Sequence, residues 1–146
     1  MHRAKTQPVS SLYHDDETAW LEFMSKLISE RRFDELDYDH LREYLQDMAR
    51  RDKREVLSRL TILLVHLLKW EHQPALRSNS WQATILHQRQ ELADLLESAV
   101  LRQYAIDSLP RAYDRAVKQA VVETGLDEGT FPAACVWTMD EVLVVD

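Results

Sequence analysis

Apolar residues return every three to four positions through most of the chain, and only two glycines and four prolines interrupt them. A spacing that matches 3.6 residues per turn predicts an all-α protein with little room for strands. In the first candidate helix, residues 16–31, Trp20, Phe23, Met24, Leu27 and Ile28 share one face, with Asp15 or Asp16 as the cap at its positive end. A second helix starts near Asp37 and runs to about Arg50 with Leu41, Tyr44, Leu45 and Met48 inward. Asp52 with Glu55 resembles a capping box and opens a third helix, residues 53–72, although no Gly or Pro prevents the two from running on unbroken. This third helix is apolar on most sides, as a helix surrounded by others must be.

Pro74 stops that helix, and Ser78-Asn79-Ser80 offers a cap for a fourth over residues 81–97, with Ile85, Leu92, Leu95 and Leu96 inward. A fifth segment spans residues 99–124 and should kink or restart at Ser108, because Pro110 falls inside it. Gly125 closes it as a left-handed residue, and Thr138 with Glu141 forms a capping box for a short last helix ending at 142–145. The expected architecture is a compact bundle of five or six helices around the central apolar helix at about 53–72. A flexible arm, residues 1–12, precedes a single helical domain, residues 13–146.

Composition sets the boundaries of this picture. A chain of 146 residues, 45% hydrophobic and 29% charged, is the size and kind that buries one core. Its single cysteine, Cys135, allows no internal disulfide, and a reducing cytoplasm is the expected compartment. The basic N-terminus lacks the apolar stretch of a secretory signal. The apolar run at 60–68 falls far short of the roughly 20 residues a membrane helix needs.

The net charge is −7, and all of the Lys and Arg lie at or before Lys118, so the tail from Gln119 onward carries only acids. Such a balance disfavours nucleic-acid binding, which needs a basic face to displace counterions. The local exception is Arg50, Arg51, Lys53, Arg54 and Arg59, which more commonly marks a solvated helix segment.

Two glycines cannot build a phosphate loop, a dinucleotide fingerprint or a nucleophile elbow, and one cysteine excludes cysteine-based zinc or iron–sulfur centres within the chain. Asp37 and His40 have the spacing of half a di-iron motif, but the second half is missing. His87 and Glu91, four apart, are a weak metal pair, and no metal or other cofactor is expected. No catalytic triad is visible.

The most informative stretch runs from Arg59 to Trp81, because it places cations and indoles in the most apolar region. The candidate cluster is Arg59, His66, Lys69, Trp70, Arg77, Trp81 and Arg89. Arg59, His66 and Trp70 return to roughly one helix face. They would either line a ligand groove or serve as scaffold, His66 donating to a backbone carbonyl and Arg59 bridging to a carboxylate on a neighbouring helix.

Leu12-Tyr13, Asp15-Asp16, Trp20, Arg32-Phe33-Asp34-Glu35-Leu36-Asp37, the run from Arg59 to Trp70 with Gln73-Pro74, and Arg77-Ser78-Asn79-Ser80-Trp81 form a joint pattern. With Gln88-Arg89, Glu123-Thr124-Gly125-Leu126 and Thr130-Phe131-Pro132, it resembles the bacterial family known as domain of unknown function 29. The resemblance covers about residues 13–143. It implies an all-helical, single-domain bacterial protein with no assigned activity, substrate or cofactor. Where that family usually has glycine then serine, this chain has Ala49-Arg50-Arg51-Asp52, and Ser98-Ala99-Val100-Leu101 replaces a proline-containing turn.

Three functions compete at this level. The first is a small cytoplasmic module acting by protein association, as a homo-oligomer or with a partner. The second is a small-anion or nucleotide site around Arg59, His66, Arg77 and Trp81, where guanidinium clamps an anion and indole stacks. The third is nucleic-acid binding through the basic patch at 50–59.

Overall fold

The computed structural model describes residues 9–144, and among these the regular structure is entirely helical. Six α-helices follow in order: α1 (Val9–Asp15), α2 (Glu17–Ser29), α3 (Tyr38–His72), α4 (Asn79–Leu95), α5 (Ala99–Thr124) and α6 (Met139–Val144). Short 3-10 turns at Phe33–Glu35, Pro74–Leu76 and Glu128–Thr130 punctuate the connections. The all-α expectation holds. Of the arm expected over residues 1–12, residues 1–8 lie outside the described residues, whereas Val9 to Leu12 belong to α1. Val145, at the expected end of the last helix, is also outside them.

The chain divides into two compact units, one up to Arg50 and one from Arg51 onward, and the boundary falls inside α3. That helix is 35 residues long and passes through Asp52 without a break. The possible helix start at Asp52 and Glu55 is not used. Ala, Arg and Lys around position 52 are good helix formers, and Glu55 is engaged within the helix by Arg59 at 3.1 Å, four residues on.

In the first unit, Asp16 caps α2 by accepting from the Ala19 amide at 3.1 Å. Trp20, Met24 and Leu27 are buried with Tyr13, and Leu12, Leu21, Phe23, Leu36, Leu41 and Tyr44 pack on them. Two residues expected inward are not: Ile28 is 46% and Leu45 60% exposed. Ile28 lies in the last turn of α2, next to Arg31, whose φ of 57° turns the chain away. Leu45 is beyond the reach of so small a core.

The second unit is organised around the C-terminal half of α3. Val56, Leu57, Leu60, Leu63, Leu64, Val65, Leu67 and Leu68 are all buried there, which is the all-round burial that its apolar pattern requires. Ser78 caps α4 by accepting from the Trp81 amide at 3.2 Å, and Ser98 caps α5 by accepting from Leu101 at 3.3 Å. Thr138 and Glu141 exchange both hydrogen bonds of the capping box, each at 3.2 Å. Gly125 ends α5 at φ 72°, a conformation that residues with a β-carbon rarely adopt.

The restart expected at Ser108 does not occur, and α5 runs uninterrupted through Pro110. Ala105, Ala112, Ala116 and Ala120 line its buried face and allow close approach, with Ser108 and Leu109 buried beside them. Pro110 points to solvent, as does Ile106, four residues earlier, whose carbonyl loses its helical partner. Water can satisfy that carbonyl, so one proline on the outer face does not break the helix.

Candidate functional site

The cationic cluster lies within the second unit, and most of it is internally satisfied. Arg59 donates from Nε to Glu55 Oε1 at 3.1 Å and from Nη1 to Gln88 Oε1 at 3.2 Å, and its Nη2 stands 3.7 Å from Glu91. This guanidinium ties α3 to α4. The His66 imidazole, through Nδ1, is 2.8 Å from the Ile62 carbonyl, the bond a core histidine makes one turn back on its own helix. Lys69, with only 12% of its side chain exposed, donates to Glu123 on α5 at 3.0 Å and lies 5.0 Å above the Trp81 ring.

Arg77 donates from Nε to the Trp70 carbonyl at 2.8 Å, and its guanidinium covers the Trp70 ring at 4.8 Å. It therefore closes the C-terminal end of α3, where carbonyls lack helical partners. Arg89 donates from Nε to the Val142 carbonyl at 3.1 Å and so fastens α6 to α4. An anion would have to displace a carboxylate to reach Arg59 or Lys69, and a carbonyl to reach the Nε of Arg77.

Charge-linked stability follows at Lys69 and Glu123. Burial pushes the Glu123 carboxyl up, but the hydrogen bonds from Gln119 and Lys69 outweigh it and hold the group below the usual carboxylate range. A carboxyl whose folded pKa is depressed adds stability above its unfolded pKa and loses it as pH falls through the folded value. Glu123→Gln should therefore flatten the acid side of the stability–pH profile below the ordinary carboxylate pKa. Urea melts at several pH values check this; an unchanged acid limb would show that the pair contributes nothing.

The cluster also borders a concavity. Leu67, Trp70 and Glu71 on α3 face Ile85, Leu86 and Arg89 on α4 across a cleft of about 290 Å³, with Gln82 at its wall and Trp137 closing it from the segment before α6. Spacings of three and four residues on each helix place these side chains on facing stripes. Trp137 and Glu71 also bound a second hollow of about 170 Å³, which reaches Leu68, His72, Tyr113 and Val136. The Tyr113 hydroxyl donates to the Pro132 carbonyl at 2.6 Å and holds down the loop that carries Trp137. A broader depression of about 540 Å³ between α5 and the 128–133 loop has Asp114, Lys118 and Glu128 around it.

Trp70 and Arg89 thus belong both to the predicted cluster and to the cleft wall. Arg59, His66, Lys69, Arg77 and Trp81 do not line the cleft. Sequence reasoning missed Trp137, Glu71, Ile85 and Leu86 as a set. The available signal was the pairing of stripes 67/70/71 and 82/85/86/89, but Trp137 comes from a loop that no periodicity places.

A separate polar centre lies in the first unit. Asp37 Oδ2 accepts from the buried Trp20 indole at 3.2 Å and lies 2.8 Å from His40 Nδ1. Tyr13 stacks on the His40 ring at 4.4 Å, and His14 meets that ring at 5.1 Å. The Asp37–His40 spacing therefore serves a side-chain pair at the start of α3. Burial, with Glu43, Asp47 and Glu17 adding to it, pushes the Tyr13 phenol above its ordinary pKa. Among the described residues, no three His, Cys, Asp or Glu side chains come together as a metal site. Glu91 is directed to Arg59 instead of to a shared ion with His87.

Neither remaining motif exposes free chemistry. Arg50 pairs with Asp47 at 3.1 Å, and Lys53 lies over the Tyr104 ring at 5.7 Å, so the basic patch is partly engaged. Cys135 is half-buried with Sγ 3.4 Å from the Trp137 carbonyl, and burial pushes its thiol up, away from the reactive thiolate. No helix among the described residues is long and apolar enough to cross a membrane.

Together these features define a class: an all-helical chain whose partly buried cations brace helix against helix beside an apolar, tryptophan-walled cleft. The chain belongs to the family described as domain of unknown function DUF29, whose family model matches residues 12–146. No curated protein and no solved structure matches it.

Proposed function

We propose that this protein is a binding module that takes a small apolar ligand in the cleft between α3 and α4 under Trp137. The observation that carries this reading is the contrast between the cleft and its surroundings. Two indoles and the aliphatic chains of Leu67, Ile85 and Leu86 meet at one concavity, while the nearby cations Arg59 and Lys69 are spent on the carboxylates of Glu55 and Glu123. Its volume of about 290 Å³ falls just below the roughly 300–1,000 Å³ range of ligand pockets, which suits a small ligand. Leu86 is 57% exposed there, and covering it would remove apolar area from water. The small-anion reading loses ground, because Arg59, Arg77 and Lys69 already hold partners.

Titrating 2-phenylethanol while following tryptophan fluorescence tests the proposal. A saturable change that Leu86→Glu abolishes is expected. A response that stays linear with probe concentration, or one that Leu86→Glu leaves intact, would sink it.

Protein association is a second reading, favoured by Leu76, Leu86, Val100, Ile106 and Val136, all exposed on the second unit. Single exposed apolar residues are ordinary, however, and scattered ones do not make an interface. Sedimentation velocity across a hundredfold concentration range addresses self-association. Concentration-dependent mass would support it, and a constant monomer mass would remove the homo-oligomer.

A further inference from the structure

We infer that the cleft's ligand is an amphipathic cation, an apolar body carrying an ammonium group, and that Glu71 is the residue that reads its charge. This inference rests on the proposed cleft and adds the chemical class of its occupant. Glu71 is one of two charged residues on the cleft wall, and the other, Arg89, is committed through Nε to the Val142 carbonyl. Among the described residues, no hydrogen bond or ion pair holds the Glu71 carboxylate. The neighbouring cations are already engaged elsewhere, Lys69 by Glu123 and Arg77 by the carbonyl and ring of Trp70.

Position strengthens the argument. Glu71 and Trp137 bound both the 290 Å³ and the 170 Å³ hollows, so a carboxylate and an indole stand together at the meeting point of two apolar spaces. An ammonium there would gain the carboxylate and lie beside an aromatic ring, a combination that favours cations over neutral groups. Asp140 and Glu141 come three and four residues after Trp137, and no Lys or Arg occurs after Lys118. A carboxylate ligand at that meeting point would face the Glu71 carboxylate, which selects against an anion.

Three probes of one shape separate the possibilities: 2-phenylethylammonium, 2-phenylethanol and 3-phenylpropionate, each titrated by calorimetry and tryptophan fluorescence at low salt. The ammonium should bind roughly 5- to 10-fold tighter than the alcohol, in keeping with a partly exposed ion pair beside an aromatic ring, and the carboxylate weakest. Glu71→Gln, an isosteric change at an exposed position, should erase the ammonium's advantage over the alcohol. Equal affinity of ammonium and alcohol for the wild type, or an advantage that survives Glu71→Gln, would overturn the inference while leaving the apolar cleft in place. Failure of all three to bind would overturn the cleft reading itself.

Discussion

Trp20→Ala is expected to cost about 3–5 kcal/mol, the range for deleting a fully buried aromatic side chain. Trp20 is fully buried in a core that, among the described residues, has four buried members, Tyr13, Trp20, Met24 and Leu27, so few neighbours can move to fill the void. Its indole also makes edge contact with Tyr13 at a centroid distance of 4.7 Å, and the hydrogen bond to Asp37 at 3.2 Å would be lost with the ring. That loss leaves a carboxylate with 12% of its side chain exposed and His40 as its remaining side-chain partner. Trp20→Phe keeps most of the volume and removes only the N–H, so it should cost much less. Thermal melts should place Trp20→Ala roughly 6–20 °C below the wild type. A melt within 2 °C of the wild type would mean that the indole does not hold this unit together.

The comparison also shows why the polar centre of the first unit was harder to read than its core. Trp20, Met24 and Leu27 follow from period alone, and all three are buried. Asp37 looked like a helix start or half of a metal motif, because in sequence its partner could only be the histidine three residues on. The decisive partner is the Trp20 indole, 17 positions away. Long-range hydrogen bonds of this kind leave no periodic trace.

The same division runs through the second unit. The caps at Ser78 and at Thr138 with Glu141 were legible because their partners lie three residues away, and the structure contains both. For His66, residue chemistry alone set out the bond to a backbone carbonyl as one of two options, and the ring does face the Ile62 carbonyl. Arg59, expected to bridge to a carboxylate on a neighbouring helix, pairs closely with Glu55 on its own helix and reaches α4 through the Gln88 amide and, at 3.7 Å, Glu91. The cleft was not legible, since its wall joins α3, α4 and a loop residue separated by more than 40 positions in sequence. Nor was the uninterrupted α5: a proline signals a break unless its outward orientation is known.

The long α3 provides the second large effect, because one helix carries both extremes of environment. Leu64 is fully buried, whereas Leu45, more than five turns earlier, is 60% exposed. Leu64→Ala should cost about 2–5 kcal/mol, the lost transfer energy plus a cavity that the rest of the close-packed core does not collapse into. Leu45→Ala should stay within about 0.5 kcal/mol, since the residue buries little and alanine is the better helix former. Leucine-to-alanine chemistry is the same at both sites, so helix propensity cancels and the difference isolates packing. Denaturant melts of the two variants, followed by circular dichroism, supply the comparison. Equal losses at both positions would contradict the burial pattern of α3, because the exposed section would then have to be covered in solution by contacts that the monomer lacks. Such a result would shift attention from the Trp70–Trp137 cleft to Leu45 and the exposed middle of α3 as the surface where this chain meets another molecule.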